Sequence, residues 1–266
     1  MNWVLMLVRN NMAITREAVE SVLAQSVPVR LLIINNGSVD GASQYVNSLL
    51  GHDERIVVMH FAPGKGVAES WNIGLRYIWD RGAGHALVVN NDVILRHDCY
   101  ELLLADGGEF VTAVGVRGRH YGERKGGLRV FKDNHGVEVF PGGVNVKGRR
   151  FNPDYSAYLM RKQTWELVGE FDENFRGSFC EDWDHHVRAH KAGIDAACID
   201  LPFYHHGSAT IKNSMERDAR IITDQAGANR EYFKSKWGVD GGTPQYYELF
   251  QRGATGQSEN VISHDT

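Results

Sequence analysis

The chain of 266 residues has room for one large or two small domains, and 42% apolar with 23% charged residues is typical of a soluble globular protein. A net charge of −4 predicts no general attraction to nucleic acids or membranes, and no apolar run approaches the ~20 residues of a membrane-spanning helix. Three cysteines without a C-x-x-C spacing favour a reduced, cytoplasmic protein over a disulfide scaffold.

The first half of the chain alternates strand-like and helix-like segments four times. Buried-type strands are predicted at 3–8, 29–34, 55–60 and from Ala86. The short apolar run at 3–8 has no basic leader, so we predict a first strand there instead of a signal peptide. Helices are predicted from a cap at Thr15, from Ser38 or Asp40, and after Gly66. This alternation predicts right-handed βαβ units and a mostly parallel sheet.

Each of these strands runs into a loop rich in Asn, Asp and Gly. In a parallel sheet the carboxyl ends of the strands share one edge, and ligands bind there. Asp92 follows an apolar strand, so we expect it to meet a hard cation and phosphate oxygens. The alternative is an Asx turn that satisfies only the local backbone. The sequence lacks G-x-G-x-x-G after the first strand and lacks a P-loop motif, so the common dinucleotide and P-loop interpretations fail.

The second half of the chain is less regular. Strands are predicted at 111–116, 151–160 and 195–199, and helices at 162–168, from Glu181 to Gly193 and at about 214–237. The stretch 117–150 holds nine Lys and Arg against three Asp and Glu, together with eight glycines. We interpret it as either a solvated hairpin or an anion-binding surface. The polar tail from Gln251 is predicted to be disordered.

Acidic and histidine side chains cluster at 181–188. Three acids in the first turn of a helix complement its dipole, and Asp184 and Arg188 have the i,i+4 spacing of an ion pair. The sequence lacks the His-Glu-x-x-His motif, and its neighbouring histidines point in different directions on a helix. A zinc hydrolase is therefore disfavoured.

A nucleotide-sugar site with a divalent cation fits these residues better. Mg²⁺ or Mn²⁺ takes oxygen ligands and bridges diphosphate oxygens, so Asp92 could supply a carboxylate ligand. His205 could add a nitrogen ligand, which suits Mn²⁺ better. Sugar transfer also requires a carboxylate that deprotonates the acceptor hydroxyl, and Glu181 and Asp182 are the candidates. The alternative role for both acids is helix capping and compensation of the helix dipole.

Six short motifs occur in an order that resembles family-2 glycosyltransferases with the GT-A fold, close to their rhamnosyltransferase-like members. The resemblance covers Val4 to about Trp237. It rests on Asn-Asn-Gly-Ser-Val-Asp-Gly at 35–41, Asn72-x-Gly74, Asn-Asn-Asp at 90–92, Gly-x-Phe-Asp-Glu at 169–173, Glu-Asp-Trp-Asp at 181–184 with Arg188, and His-His-Gly-Ser at 205–208. The resemblance implies an α/β fold with a Rossmann-like, mostly parallel sheet flanked by helices.

The resemblance also implies a division of the chain. One GT-A catalytic domain is expected over 1–250. Within it we expect a nucleotide-sugar-binding half at 1–95, an acceptor-binding half at 96–212 and a C-terminal helical segment at 213–250. The reaction implied is an inverting transfer from a UDP or dTDP sugar to an acceptor hydroxyl.

Individual residues acquire roles by the same resemblance. Asp182 is expected to be the general base beside Glu181, and Mn²⁺ or Mg²⁺ is expected at Asp92 and His205. Donor contacts are expected from Asn35, Asn36, Ser38, Asp40, Gly66, Asn72, Asn90, Asn91 and Asp92. Acceptor contacts are expected from Asp184 and from the basic residues Arg124, Lys125, Arg149 and Arg150. Their charge suits an anionic acceptor such as a polysaccharide, a lipid-linked glycan or a nucleic acid.

Two positions depart from the family pattern, and two other functions compete with this one. The family commonly has Asp at the position of Asn35 and an acid at that of Asn90, although an amide oxygen can also accept a hydrogen bond or coordinate. A nucleotidyltransferase that makes sugar nucleotides usually carries a Gly-rich loop with Arg and Lys after its first strand, where this chain has Arg9-Asn10-Asn11-Met12. A catalytically inactive binding module would have lost the acids at 92 and 182, and both are present.

Overall fold

The computed structural model describes residues 1–116, 121–125, 128–131, 149–150, 153–194, 196–206 and 216–250. For residues 114–116, 121–125, 128–131 and 149–150, the structure describes the backbone and not the side chains. The predicted disordered tail and much of the basic stretch 117–150 therefore lie outside the described residues.

Nine of the described strands form one sheet, and two form a separate hairpin. The strands are β1 (Asn2–Val8), β2 (Val29–Asn36), β3 (Ile56–Phe61), β4 (His85–Asn90), β5 (Val93–Ile94), β6 (Phe110–Val116), β7 (Tyr121–Lys125), β8 (Leu128–Phe131), β9 (Arg149–Arg150), β10 (Ala157–Arg161) and β11 (Ala197–His205). Their order in the sheet is β3-β2-β1-β4-β10-β6-β11-β5, with β9 paired to β11. The hairpin of β7 and β8 is antiparallel, as one interpretation of the basic stretch predicted.

Eight helices lie within the described residues. They are α1 (Met12–Leu23), α2 (Gly41–Ser48), α3 (Val67–Trp79), α4 (Cys99–Asp106), α5 (Lys162–Val168), α6 (Glu181–Lys191), α7 (Glu216–Trp237) and α8 (Pro244–Glu248). The helix α4 is not among the predicted helices, whereas α8 lies within the C-terminal helical segment expected at 213–250. In these described segments, no helix is long and apolar enough to cross a membrane.

The first four strands run parallel in the order β3-β2-β1-β4, as predicted from their alternation with helices. In register, Leu7 of β1 lies beside Asn90 of β4, and Val8 lies beside Asn35 of β2. Next to β4, the antiparallel strand β10 joins this parallel half to β6 and β11. The sheet is therefore mostly parallel with helices around it, and the predicted α/β fold class is confirmed.

Both faces of β1 are buried, because its side chains alternate between two apolar layers. Val4, Met6 and Val8 pack with residues of α1, α2 and α4, while Trp3 and Leu5 pack with residues of α3. This explains why β1 reads as a continuous apolar run. A third apolar cluster joins α6 to α7 and α8, so the C-terminal helices brace the acidic helix α6.

The predicted start of α1 was wrong. The helix begins at Met12, and Asn11 at its N-cap has a left-handed backbone with φ of 62°. Thr15, the predicted cap, is buried, and its hydroxyl donates a hydrogen bond to the Asn10 carbonyl at 3.2 Å. The predicted cap of α2 is confirmed at Asp40, whose carboxylate accepts a hydrogen bond from the Ala42 N–H.

Candidate active site

The loops after β1 and β2 are joined into one surface by hydrogen bonds. The backbone N–H of Asn10 donates to Ser38 Oγ at 2.9 Å, and that of Asn11 donates to Asp40 Oδ2 at 2.6 Å. In return, Asn10 Oδ1 accepts from the Val39 N–H at 2.8 Å. The predicted donor residues Ser38 and Asp40 thus hold the two loops together.

Asn35 and Asn36 end β2, and their side chains fix neighbouring loops. The buried Asn35 amide donates to Ser43 Oγ at 3.0 Å and lies 3.1 Å from His60 Nδ1. The Asn36 amide exchanges two hydrogen bonds with the backbone of Lys65, at 2.9 and 2.6 Å. Asn36 also lines the cleft described below, whereas Asn35 is not among the residues that line it. Contact of Asn35 with a nucleobase stays a prediction.

Asn72 ties α3 to the segment that precedes α6. Its fully buried amide exchanges hydrogen bonds of 2.9 Å with the backbone of Phe171 and also donates to Glu173 Oε1 at 2.9 Å. A Cβ on Gly74 would lie 2.5 Å from a methyl group of Leu5, so only glycine lets α3 pack this closely on the sheet. This arrangement argues against the predicted donor contact of Asn72, because the whole amide is engaged within the protein.

A cleft of about 280 Å³ lies at the carboxyl edge of the sheet and brings together seven of the predicted site residues, which are Asn36, Asn90, Asn91, Asp92, Glu181, Asp182 and His205. It is lined by Leu7, Arg9, Asn36, Lys65, Val67, Trp71, Asn90, Asn91, Asp92, Gly177, Ser178, Phe179, Glu181, Asp182, His205 and Gln225. Both halves of the chain therefore contribute to one cavity. Gly66 lies at the N-cap of α3 and lines a neighbouring cavity, not this one.

Asp92 and His205 meet in this cleft because β11 pairs with β5. Val93 lies opposite His205 in register, and the His206 N–H donates to the Asp92 carbonyl at 3.0 Å. The His205 Nε2 atom is 3.3 Å from Asp92 Oδ1. The neighbouring Asn91 amide donates to Thr15 Oγ1 at 2.9 Å, which fixes this loop against α1.

The Asp92 and His205 pair fits a divalent cation that completes its shell with ligand oxygens and water. One carboxylate oxygen and one imidazole nitrogen form a mixed donor set that suits Mn²⁺. Within the described residues, no group of three or more His, Cys, Asp or Glu is placed to hold a metal ion by itself. A cation at this pair would therefore depend on phosphate oxygens of a bound nucleotide.

Glu181 and Asp182 open α6 at the wall of the same cleft. Burial and, as a smaller effect, the neighbouring Asp182 carboxylate together raise the pKa of Glu181 to about 8. Burial also raises the pKa of Asp182, although hydrogen bonds from the backbone N–H groups of Trp183 and Asp182 oppose the shift. Glu181 Oε2 has no hydrogen-bond partner within the described part of the chain. Burial therefore opposes ionisation of both acids.

The histidines of α6 belong to the protein core. The His185 ring stacks on Phe171 with centroids 4.5 Å apart, and its Nδ1 lies 2.9 Å from the Tyr155 hydroxyl. Burial keeps the pKa of His185 well below its ordinary value. His186 pairs instead with the Tyr246 hydroxyl at 2.8 Å. These contacts explain the histidine cluster without zinc.

Asp184 is fully buried and does not line the cleft, which argues against its predicted contact with an acceptor. Its carboxylate accepts hydrogen bonds from Arg188 Nε at 2.8 Å and from Trp237 Nε1 at 2.9 Å. Lys236 Nζ lies 2.7 Å from the same carboxylate. The predicted pair with Arg188 is confirmed, and the carboxylate anchors α6 to α7. The side chains of Arg124, Lys125, Arg149 and Arg150 lie outside the described set.

Nine of the residues that line the cleft are not among the predicted site residues, and they include Trp71, Phe179 and Gln225. Trp71 read as an apolar position of α3, yet it lines the cleft, and its Nε1–H has no hydrogen-bond partner within the described residues. Phe179 lies outside every periodic apolar pattern of the sequence. Gln225 lies on α7, far along the chain from every motif. No signal in the sequence marks these three positions.

Comparison with known proteins agrees with this geometry. The sequence profile described as "Glycosyl transferase family 2" matches residues 3–190. No curated protein matches the chain significantly. Among solved structures the chain resembles the mannosyltransferase PcManGT from Pyrobaculum calidifontis in complex with GDP-Man and Mn²⁺, with a TM-score of 0.55 and 12% identity over 94% of this chain and 67% of that chain. At this identity the likeness shows a shared fold.

The raised pKa of Glu181 predicts that the protein loses stability as the pH rises. From its ordinary value of 4.5 up to about 8, the folded state keeps a proton that the unfolded chain has released. The contribution of Glu181 to stability is therefore fully present below about pH 4.5 and is lost as the pH rises towards 8. The free energy of unfolding should fall by at least about 1 kcal/mol over this range, since one pKa unit corresponds to ~1.4 kcal/mol. Urea unfolding between pH 5 and pH 8 measures this slope.

The variant Glu181→Gln should flatten that slope, because glutamine cannot ionise. Glu54→Gln makes the same chemical change at an exposed position and should keep the slope of the wild type. An unchanged slope in Glu181→Gln would contradict the shift assigned to Glu181.

Proposed function

Because this chain belongs to glycosyl transferase family 2, we propose that it transfers a sugar from a nucleoside diphosphate sugar to an acceptor hydroxyl with inversion at the anomeric carbon. The observation that carries the proposal is the meeting of the Asp92–His205 pair and the Glu181–Asp182 pair in one cleft. The first pair suits a leaving diphosphate, and the second suits proton removal. The family assignment leaves no support for the nucleotidyltransferase alternative.

Asp182 is the proposed general base. Glu181 has its pKa raised to about 8, so it is protonated at neutral pH and is poorly suited to act as the base. Asp182 then accepts the proton of the acceptor hydroxyl while that oxygen forms a bond to the anomeric carbon. The bond from this carbon to the diphosphate oxygen breaks, and its electron pair leaves with the diphosphate. Attack from the face opposite the leaving group inverts the configuration.

Asp92 and His205 are the residues proposed to hold a divalent cation. When bound, Mn²⁺ or Mg²⁺ neutralises negative charge on the leaving diphosphate. The donor set described above supports this role, and the structural neighbour was solved with Mn²⁺. Asn90 and Asn91 extend the same edge and are proposed to line the donor site with Asn36.

A panel of nucleotides and nucleotide sugars would identify the base and the sugar of the donor. The resemblance of the motifs favours UDP or dTDP sugars, whereas the structural neighbour holds GDP-Man. UDP, dTDP and GDP, each with and without Mn²⁺, can be ranked by thermal shift, because a ligand that binds only the native state raises its melting temperature. The likeness to rhamnosyltransferases stays a prediction until the sugars of the preferred nucleotide are compared.

Asp92→Asn should remove metal-dependent activity and metal-dependent nucleotide binding together, because it deletes the carboxylate of the cation site. The measurement is nucleoside diphosphate release from the preferred donor with Mn²⁺, Mg²⁺ or EDTA, beside calorimetric binding of the nucleoside diphosphate. Asp80→Asn changes an exposed carboxylate at the end of α3 and serves as the matched control. Full activity of the wild type in EDTA would contradict the assignment of a divalent cation to Asp92 and His205.

Asp182→Asn should lower kcat by ~10²–10⁴ while nucleoside diphosphate affinity stays nearly unchanged, since a general base acts in the transition state more than in donor binding. Steady-state kinetics and calorimetry separate these two effects. Glu181→Gln should be less damaging, because glutamine resembles the protonated glutamate. If Glu181→Gln proved the more harmful change, the role of base would pass to Glu181.

An anionic acceptor is the final part of the proposal, and it rests on the six excess positive charges of the stretch 117–150. Replacing Arg124, Lys125, Arg149 and Arg150 by Ala should raise the acceptor KM and flatten its dependence on salt, while the donor KM stays the same. A matched control removes the exposed Arg16, Arg55 and Arg81. Equal weakening of donor binding would show that the basic residues do not select the acceptor.

A further inference from the structure

The two residues before Glu181 have an unusual backbone. Phe179 and Cys180 are left-handed, with φ of 83° and 72°, although neither is glycine. Such conformations cost ~1–3 kcal/mol each and persist only where the surrounding structure enforces them. They turn the chain so that Cys180 is buried in the cluster beneath α6 while the Phe179 side chain is 38% exposed.

Asn229 on α7 enforces this turn. Its Nδ2 atom lies 2.9 to 3.0 Å from the carbonyl oxygens of Arg176, Ser178 and Phe179. Its Oδ1 atom accepts a hydrogen bond from the Arg176 N–H at 3.1 Å. Asn229 is itself only 3% exposed, so these hydrogen bonds form away from competing water. A buried side chain thus holds the whole 176–179 turn in place.

The consequence of the turn is an apolar ring in a polar cleft. Phe179 lines the cavity that also contains Asp182, Asp92 and His205. Two other residues of the same segment supply its core contacts, because Phe175 is 1% exposed and Cys180 is 2% exposed. The Phe179 ring therefore does not serve the core, and a turn that costs free energy keeps it at the site.

The position of Phe179 separates it from the nucleotide wall. Loops after β1, β2 and β4 form one side of the cleft, whereas Phe179 belongs to the segment that leads into Glu181 and Asp182. The base must lie beside the acceptor hydroxyl, and Phe179 lines the cleft on the same segment of chain as Asp182, so its ring belongs to the side of the cleft proposed for the acceptor. The C–H bonds of a pyranose ring carry partial positive charge, which the negative face of an aromatic ring attracts.

We propose that Phe179 is the platform on which a pyranose ring of the acceptor stacks, and that the acceptor is therefore a saccharide. This proposal rests on the function proposed above. It is compatible with an anionic acceptor that carries its charge on a group beyond the stacked sugar. Asn229 is then a positioning residue, because it acts on the ring only through the 176–179 turn.

The test is ligand-observed saturation-transfer NMR with methyl α-D-glucopyranoside, methyl α-D-mannopyranoside and methyl α-L-rhamnopyranoside, each with Mg²⁺ and the preferred nucleoside diphosphate. Irradiation of protein aromatic protons should saturate the ring protons of at least one pyranoside. Phe179→Gly removes the ring and suits a positive φ, so it should fold with a melting temperature near that of the wild type. Its apparent pyranoside affinity should fall about tenfold.

Two further variants complete the test. Phe179→Trp should keep the pyranoside signal, because it retains an aromatic face. Tyr247→Ala removes an aromatic ring that is 39% exposed on α8 and should leave the pyranoside signal unchanged. No saturation transfer in the wild type, or an equal signal in Phe179→Gly, would overturn the platform.

Calorimetry of nucleoside diphosphate binding separates the remaining outcomes. Loss of nucleotide affinity in Phe179→Gly would place the ring on the nucleobase and would also overturn the proposal. If the wild type neither transfers nor hydrolyses any donor while the pyranoside signal still depends on Phe179, the proposed transferase function fails, and Phe179 is a saccharide-binding residue without the role of an acceptor platform.

Discussion

Burial of β1 on both faces is the constraint on which the rest of the site depends. The residues of β1 from Trp3 to Met6 are almost completely buried between two helical layers, which leaves no polar position inside the strand. Polar groups can be satisfied only where the strand ends. Parallel pairing then sets Val8 beside Asn35 and Leu7 beside Asn90, so the polar ends of three strands meet at one edge. The cleft lies at the edge of the sheet, where the apolar packing of these strands ends.

Pairing of distant segments turns this edge into a complete site. The β5–β11 pair carries His205 to Asp92, and the Asn72 amide fixes the segment after Phe171 that leads to α6. Asp184 and Lys236 then hold α6 against α7. These contacts each involve a buried polar group with a partner from another element, so the position of the acids depends on the tertiary fold.

The sequence predicts the strands and their polar ends well, because buried parallel strands are continuous apolar runs. It also identifies Asp92, Glu181 and Asp182, which the cleft brings together. It fails where the environment decides the role of a residue. Asp184 has the same chemistry as Asp182, and only the helix face separates a buried anchor from a residue of the cleft. The turn at Phe179 likewise depends on Asn229, fifty residues further along the chain.

The C-terminal helix α7 shows why a family profile describes only part of this site. The match ends at residue 190, yet Gln225 lines the cleft and Asn229 holds the turn before the acids. Burial at the cleft wall disfavours the ionised forms of Glu181 and Asp182. Hydrogen bonds from Asn229 and the contacts of Asp184 hold the chain on either side of these acids. The loops proposed to bind the donor lie mostly within the matched region, although His205 does not, and the turn before the acids depends on a helix outside the match.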